Sequence, residues 1–278
     1  MRIDLHLHTR ASDGLLGPEA LVKAVVAGGV QVFSVTDHDT VDGLAVVEAH
    51  ASTCGVRCIP GIEISAYWKR EELHFLGYFL DPRDATLLDF LRKTREARRT
   101  RMHAMVSRLW ALGIAVDVRE VMALTQDGNV GRPHLARILV RQGLVATTDE
   151  AFDRYLGVDK VAYVPRPDVA VQDAIRVIHE AGGLASLAHP GLYNTDQAIP
   201  ELVAAGLDAI EAYHVKHTPG LVSHYRKVAN RLGLLVTGGS DFHGPLGQGA
   251  GPGKPCLPEP DFLRLEAAAT ARRAAARA

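Results

Sequence analysis

Cysteine is scarce in this chain of 278 residues: Cys54, Cys58 and Cys256 are an odd number that cannot make a disulfide framework and is too few for a four-thiolate zinc site. Reduced thiols are expected. No run of 18 or more uncharged apolar residues occurs, so no membrane-spanning helix and no membrane partner are expected. Neither sign of charge is in excess, and a net charge of -1 does not by itself suggest a polyanion partner. Ser240 does not lie in a G-x-S-x-G elbow, which excludes that route to a covalent serine mechanism. Met1-Arg2 leads straight into a strand-like run bearing histidines, which argues against a removed signal peptide, and a cytoplasmic protein is expected.

What the chain does have is apolar residues, 47% of the total, enough for a full core and compatible with two domains or one α/β barrel. It also has histidines in telling places. His6 and His8 alternate in Ile3-Asp4-Leu5-His6-Leu7-His8, and Asp241 and His243 alternate in Gly239-Ser240-Asp241-Phe242-His243. A strand turns residues i and i+2 to one face, so each pair can reach one ion. Other apolar runs end likewise: residues 32–36 lead into Asp37-His38-Asp39, 56–61 into Glu63, and 184–188 into His189-Pro190. Asp13 sits in a Ser-Asp-Gly turn and His74 within Leu73-His74-Phe75. Imidazoles and carboxylates suit divalent Mn, Fe and Zn without any thiolate. A single strand histidine is usually a packing residue, but repeated placement just past strand-like runs, where α/β barrels build their active sites, points to a polynuclear metal site. His50, His103 and His179 have no such company and are read as surface or packing residues.

Helix-like and strand-like segments alternate at both ends of the chain. Strands are expected over 2–7, 30–36, 56–61, 73–79, 184–188, 208–213 and 234–240; helices over 18–28, 41–53, 168–181, 197–205 and 219–232. This pattern predicts an α/β fold, a parallel barrel formed by residues 1–83 and 167–278. Residues 84–166 read as an all-helical insertion, opening with a long amphipathic helix that ends at Gly113 and continuing over 117–125, 132–142 and 148–156. The Ala/Arg-rich stretch 261–278 is expected to be a packing helix. Arg92, Lys93, Arg95, Arg98, Arg99, Arg101 and Arg108 crowd the long helix, either as a solvated face or as a nucleotide- or RNA-facing one. His74 fits the pattern imperfectly, because it begins its strand where the others end theirs; a hairpin through Lys69-Arg70-Glu71 would fold it back toward the site.

Taken in order, His6-x-His8, Asp13, Thr36-Asp37-His38, Gly61-Ile62-Glu63, His74, Ala188-His189-Pro190 and Asp241-x-His243 resemble the polymerase and histidinol phosphatase (PHP) superfamily. The resemblance implies a distorted (β/α)7 barrel holding three divalent ions, foremost manganese, with Fe, Zn or Mg as alternatives. It implies that Glu63 bridges two ions, with His6, His8 and Asp241 on one, His74 and His189 on a second, and Asp13, His38 and His243 on a third. The short chain and the insertion carrying Gly131-Arg132-Pro133-His134 look like the nucleoside 3′,5′-bisphosphate phosphatases, a group that includes a 5′-to-3′ exoribonuclease.

On this reading the enzyme is a cytoplasmic hydrolase. A hydroxide held between metals attacks the phosphoester and no protein nucleophile is needed. Arg132 offers a planar fork for phosphate at a helix N-terminus, and His134 adds a donor, although Arg-Pro-His could also simply open that helix. The insertion is then a substrate cap. His214 and His217, around Lys216, form a secondary phosphate or leaving-group candidate. The expected substrates are nucleoside 3′,5′-bisphosphates and short 5′-phosphorylated RNA, with no obligate protein partner. The alternatives are a small-metabolite phosphatase of the histidinol phosphate type, an amidohydrolase, which Glu63 and Asp241-x-His243 argue against, and a silent binding module.

Overall fold

The computed structural model describes residues 1–69, 71–125, 129–165, 169–193, 196–245 and 251–275. Arg70 of the expected hairpin, the expected boundary at 166/167, the start of the helix at 168 and the last three residues lie outside them.

Seven strands form one sheet in sequence order: β1 (Ile3–Leu7), β2 (Val32–Val35), β3 (Arg57–Trp68), β4 (Glu71–Tyr78), β5 (Leu184–Leu187), β6 (Ala209–His214) and β7 (Leu235–Gly239). The helices α1 (Pro18–Ala27) and α2 (Leu44–Thr53) separate the first three strands, and α7 (Val171–Glu180), α8 (Ile199–Ala204) and α9 (Pro219–Leu232) separate later ones. Pro18 in the first turn of α1 and left-handed Gly29 beyond its end punctuate that helix as expected. Most strand pairs are parallel, but β4 runs antiparallel to both β3 and β5. The expected parallel barrel holds for four of the six strand pairs and is corrected at β4: β3 continues to Trp68, well beyond the expected end at 61, and pairs antiparallel with β4, as the expected hairpin requires.

The first and last strands meet. Leu7 bridges Phe242, the His8 amide donates to the Phe242 carbonyl at 3.0 Å, and Gly239 sits so close to β1 that a Cβ there would lie 2.4 Å from the His6 nitrogen. Asp4, fully buried, stitches this seam: its carboxylate accepts from the amides of His6 (3.2 Å), Ser240 (2.9 Å) and Gly253 (2.6 Å) and from the Ser240 hydroxyl (2.6 Å). The result is a nearly closed, distorted seven-stranded barrel.

Between β4 and α7 the described residues hold helices and turns: α3 (Ala85–Ala111), α4 (Val118–Ala123), α5 (Arg132–Arg141) and α6 (Thr148–Ala151), which runs into a π-helical turn, Phe152–Leu156. Leu87 and Leu91 of α3 join the barrel's main apolar cluster, whereas Met102, Met105 and Leu109 pack with Leu135, Ile138 and Leu139 of α5 in a separate one. The α3 helix thus roots the helical segment in the barrel. The last helix, α10 (Glu259–Ala275), buries Phe262 and Leu265 against Ile3, Leu5 and Tyr78.

Candidate metal centre

The hairpin explains His74. Ser65 pairs with His74 and Glu63 with Leu76, so the start of antiparallel β4 lies beside the extension of β3 just beyond Glu63. His6 lies on β1, and His8, His38, His189, Asp241 and His243 follow the ends of their strands. All nine residues expected as ligands converge on one region.

Glu63 is the hub. Its Oε1 lies 2.8 Å from His74 Nδ1 and 3.0 Å from His189 Nε2; its Oε2 lies 3.3 Å from His6 Nε2, 3.3 Å from His8 Nε2 and 3.2 Å from His38 Nδ1. Asp241 Oδ1 lies 3.3 Å from both His6 Nε2 and His8 Nε2. Asp13 approaches His243 Nε2 at 3.2 Å and His38 Nε2 at 3.8 Å. Four overlapping groups present one ligand atom per residue within 4.8 Å of one another: His8-Asp13-His38-His243, His6-His8-Asp241, His6-Glu63-His189 and His38-Glu63-His74. Among the described residues, His8 Nδ1 and His189 Nδ1 are buried without a hydrogen-bond partner. Such nitrogens are costly unless something else satisfies them, and the oxygen and imidazole donors around them fit divalent metal ions.

Burial raises every carboxyl pKa here, yet the surrounding imidazoles hold Glu63, Asp13 and Asp241 well below the usual carboxylate range. For His8, burial pulls the imidazole down, but Asp241 and Glu63 carry it up to about 10; for His38 burial wins and its value falls to about 3. The site stabilises anionic carboxylates, the form a cation needs.

Residues that the ligand pattern did not reveal hold this set in place. Glu211, fully buried, takes His6 Nδ1 at 3.0 Å and the His189 amide at 2.8 Å. If His6 Nδ1 donates, its Nε2 is left as a lone-pair donor toward Glu63 and Asp241. Asp37 accepts from the Thr9 amide (2.7 Å) and the hydroxyls of Thr9 and Ser12 (both 2.5 Å), tying the loop after β1 to the end of β2. Asp39 takes the Ser65 amide at 2.9 Å and Arg98 Nε of α3 at 2.8 Å, and Asn129 donates to the His38 carbonyl at 2.9 Å. Asp39, His189 and Asp241 have positive φ angles of 51°, 30° and 51°. Three left-handed, non-glycine residues at strand ends are strained conformations that surrounding bonds must enforce. Glu211 was legible as a lone carboxylate within the apolar run Ile210 to Tyr213.

A cavity of about 470 Å³ opens over this centre. Asp13, His38 and His74 line it from the barrel, and Arg98, Arg101, Asn129, Arg132 and His134 from the helical segment. Arg132 Nη2 lies 3.4 Å from Glu72. His134 Nδ1 accepts from the Gly131 amide at 3.0 Å, while its buried Nε2 has no hydrogen-bond partner among the described residues.

The expected secondary pair, His214 and His217, is placed differently. His214 is buried with Nε2 3.2 Å from Asp241 Oδ2, where it supports a carboxylate instead of facing substrate. His217 donates from Nδ1 to the Ala212 carbonyl (2.9 Å) and accepts at Nε2 from the Gly191 amide (3.1 Å), so both nitrogens are committed to backbone. The basic run on α3 also divides: Arg98 and Arg101 are buried, whereas exposed Arg92 and Lys93 pair with Asp89. No described helix is long and apolar enough to cross a membrane.

A family model for the PHP domain matches residues 4–158. The chain is 37% identical over 249 residues to the 5′-3′ exoribonuclease Rnm of Escherichia coli (strain K12), covering 87% of this chain and 85% of that protein. It is 35% identical over 249 residues to the 3′,5′-nucleoside bisphosphate phosphatase of Chromobacterium violaceum, covering 87% of each. A solved structure described as an amidohydrolase from Chromobacterium violaceum, with bound sulfate and no metal, matches with a TM-score of 0.88 at 34% identity over 96% of both chains. A centre built from histidines and carboxylates at strand ends, on a chain that matches these proteins over most of its length, has one reading: the chain belongs to the PHP domain family and is a metal-dependent phosphoesterase.

Proposed function

We propose that the enzyme hydrolyses the 3′-phosphate of nucleoside 3′,5′-bisphosphates to give the 5′-monophosphate, and that it shortens 5′-phosphorylated RNA from its 5′ end by the same bond cleavage. The observation that carries this reading is the shared cavity: Arg132 and His134 face it from one side, and His38, His74 and Asp13 from the other. An anion held by Arg132 and His134 leaves a second phosphate over the carboxylate–imidazole centre. The names of the two relatives describe these two activities, and one chemistry covers both. Water's oxygen joins phosphorus, the P–O3′ bond breaks, and the 3′ oxygen leaves with a proton. A terminal phosphate departs as inorganic phosphate. A diester at that position releases a 5′-mononucleotide and leaves a new 5′-phosphate on the remaining RNA.

In this reading His6, His8 and Asp241, then His74, His189 and Glu63, then Asp13, His38 and His243 would hold three divalent ions, manganese foremost. When bound, such ions neutralise charge on the phosphoryl oxygens and lower the pKa of water. The chain's own residues set up that chemistry. Glu211 orients His6, and the Asp241 carbonyl, 2.9 Å from His243 Nδ1, can take that ring's proton and leave Nε2 to face Asp13. His134 Nε2 and the Arg132 guanidinium orient the non-reacting phosphate. The test is chromatography of products from adenosine 3′,5′-bisphosphate with the metal-loaded enzyme. Adenosine 5′-monophosphate plus inorganic phosphate is expected; accumulation of the 3′-monophosphate would reverse the pose.

A further inference from the structure

The proposed ion sites are not braced alike. Two of them are held from within the barrel: Glu211 of β6 takes His6 and the His189 amide, His214 of β6 lies 3.2 Å from Asp241, and the Ala188 amide donates to the His74 carbonyl at 2.9 Å. The site of Asp13, His38 and His243 is held from the helical segment. Arg137 of α5 donates to the Asp13 carbonyl, and the Asn129 amide donates to the carbonyl of Ala11 in the same loop at 2.9 Å. The buried side chain of Asn129 donates to the carbonyl of His38, at 2.9 Å, and to that of Asp39. Only the nitrogen of a side-chain amide can meet two carbonyls, so chemistry fixes the orientation of that group. Arg98 of α3 joins the same knot, donating to the Asp39 carboxylate at 2.8 Å and to the Val130 carbonyl at 3.3 Å. Among the described residues, no hydrogen bond from the helical segment reaches any other proposed ligand.

We propose that Asn129 and Arg137 are positioning residues that couple the helical segment to one ion alone, the one assigned to Asp13, His38 and His243, so that this ion and the seating of α5 stabilise each other. The proposal rests on the ion grouping of the reading above. Asp13 lies in the loop after β1, and His38 leads into Asp39, whose φ of 51° is a conformation that surrounding bonds must enforce. Asp37 and the Ser65 amide hold these loops from the barrel side, while the carbonyls of Asp13 and His38 face Arg137 and Asn129. Without those donors the carbonyls lose their partners and the two peptides are free to rotate, which misaims the side chains they carry. Coupling of this kind runs both ways: if seating α5 raises the affinity for the ion, the ion steadies α5 by the same factor. An unseated segment then leaves the centre incomplete, and the centre is completed only beneath a closed cavity wall.

Manganese titration of metal-stripped protein, read by the paramagnetic resonance of the free ion, tests this without turnover. The wild type is expected to take three ions. Asn129→Ala should weaken one of them by about 10- to 100-fold and leave the other two within about 2- to 3-fold. Arg137→Met should weaken the same ion by less, because it also removes a positive charge near Asp13 that opposes the ion, and Arg137→Lys, which keeps charge and donor, should stay close to wild type. His243→Ala identifies the ion: in that background, adding Asn129→Ala should change the two remaining affinities by no more than about 2- to 3-fold. Hydrogen exchange reads the reverse direction, with the α5 amides gaining protection as the last ion loads in the wild type but not in His243→Ala. Equal weakening of every ion would make Asn129 a general brace, and unchanged affinities, or α5 exchange indifferent to manganese, would refute the coupling while leaving the grouping intact. A wild type that takes only two ions would overturn the grouping and the coupling with it.

Discussion

Replacing Asp4 by alanine should open the seam between the first and last strands. The substitution strips acceptors from three backbone amides, those of His6, Ser240 and Gly253, and from the Ser240 hydroxyl. A rotating hydroxyl can find a new partner, but the amides are fixed, and each buried orphan costs about 1–3 kcal/mol. Part of that loss is offset, because burial outweighs these same hydrogen bonds and raises the Asp4 pKa, so the site disfavours the charge it removes. The expected net cost is about 2–5 kcal/mol, and at about 2 °C per kcal/mol for a chain of this size the melting temperature should fall by about 4–10 °C. Asp4→Asn keeps one acceptor oxygen and should cost less. Thermal unfolding at fixed metal load measures the first effect, and hydrogen exchange at the amides of His6, Ser240 and Gly253 locates it. A variant melting within about 2 °C of wild type, with those amides still protected, would refute the assignment of Asp4 as the seam's stitch.

Asp241→Asn or His8→Ala should abolish phosphate release while leaving the far-ultraviolet circular dichroism unchanged, since each deletes a proposed ligand but little apolar core; turnover near wild type at saturating metal would count against the ligand set. Glu211→Gln should weaken metal binding by about 10- to 100-fold by loosening His6, read by metal titration at constant pH, and unchanged affinity would remove its orienting role. Arg132→Ala should lower kcat/KM on adenosine 3′,5′-bisphosphate by about 30- to 1,000-fold and far less on the 3′-monophosphate; equal losses would make Arg132 a structural residue. Stripping metal with a chelator should stop hydrolysis, and adding back Mn, Mg, Zn and Fe separately identifies the ions that restore it.

The sequence displayed the family, the α/β class and the order of elements because spacing of two along a strand and apolar runs ending in His or Asp are local signals. Strand polarity is less local, and the short gap at Lys69-Arg70-Glu71 hinted at a hairpin without showing how far β3 extends. The direction of β4 depends on β3 outlasting its apolar run, and Ser65-Ala66-Tyr67-Trp68 carries little sign of that until paired with Leu73 and His74. The supporting residues were harder still. Asp4, Asp37 and Glu211 act on partners remote in the chain, and a carboxylate looks the same whether it faces a cation or an amide. His217 shows the reverse error: it lies three residues past the end of β6, but its nitrogens are spent on Ala212 and Gly191. The basic helix read as one patch because the pattern showed charges but not Asp39 folding over Arg98.

The meeting of β1 and β7 also governs how the molecule comes into being. Asp4 and Ser240 are 236 positions apart, so a chain emerging from the ribosome holds its first strand long before that strand's second neighbour exists. During that interval β1 presents an open edge, the kind of surface on which unfinished chains pair wrongly. The same wait applies to chemistry, since His6 and His8 arrive first and Asp241 and His243 last. A chain cut short after α9 would therefore not be a slightly poorer enzyme: it would lose barrel closure and one of three ligands from each of two proposed ion sites together, leaving a product fit for degradation instead of partial activity.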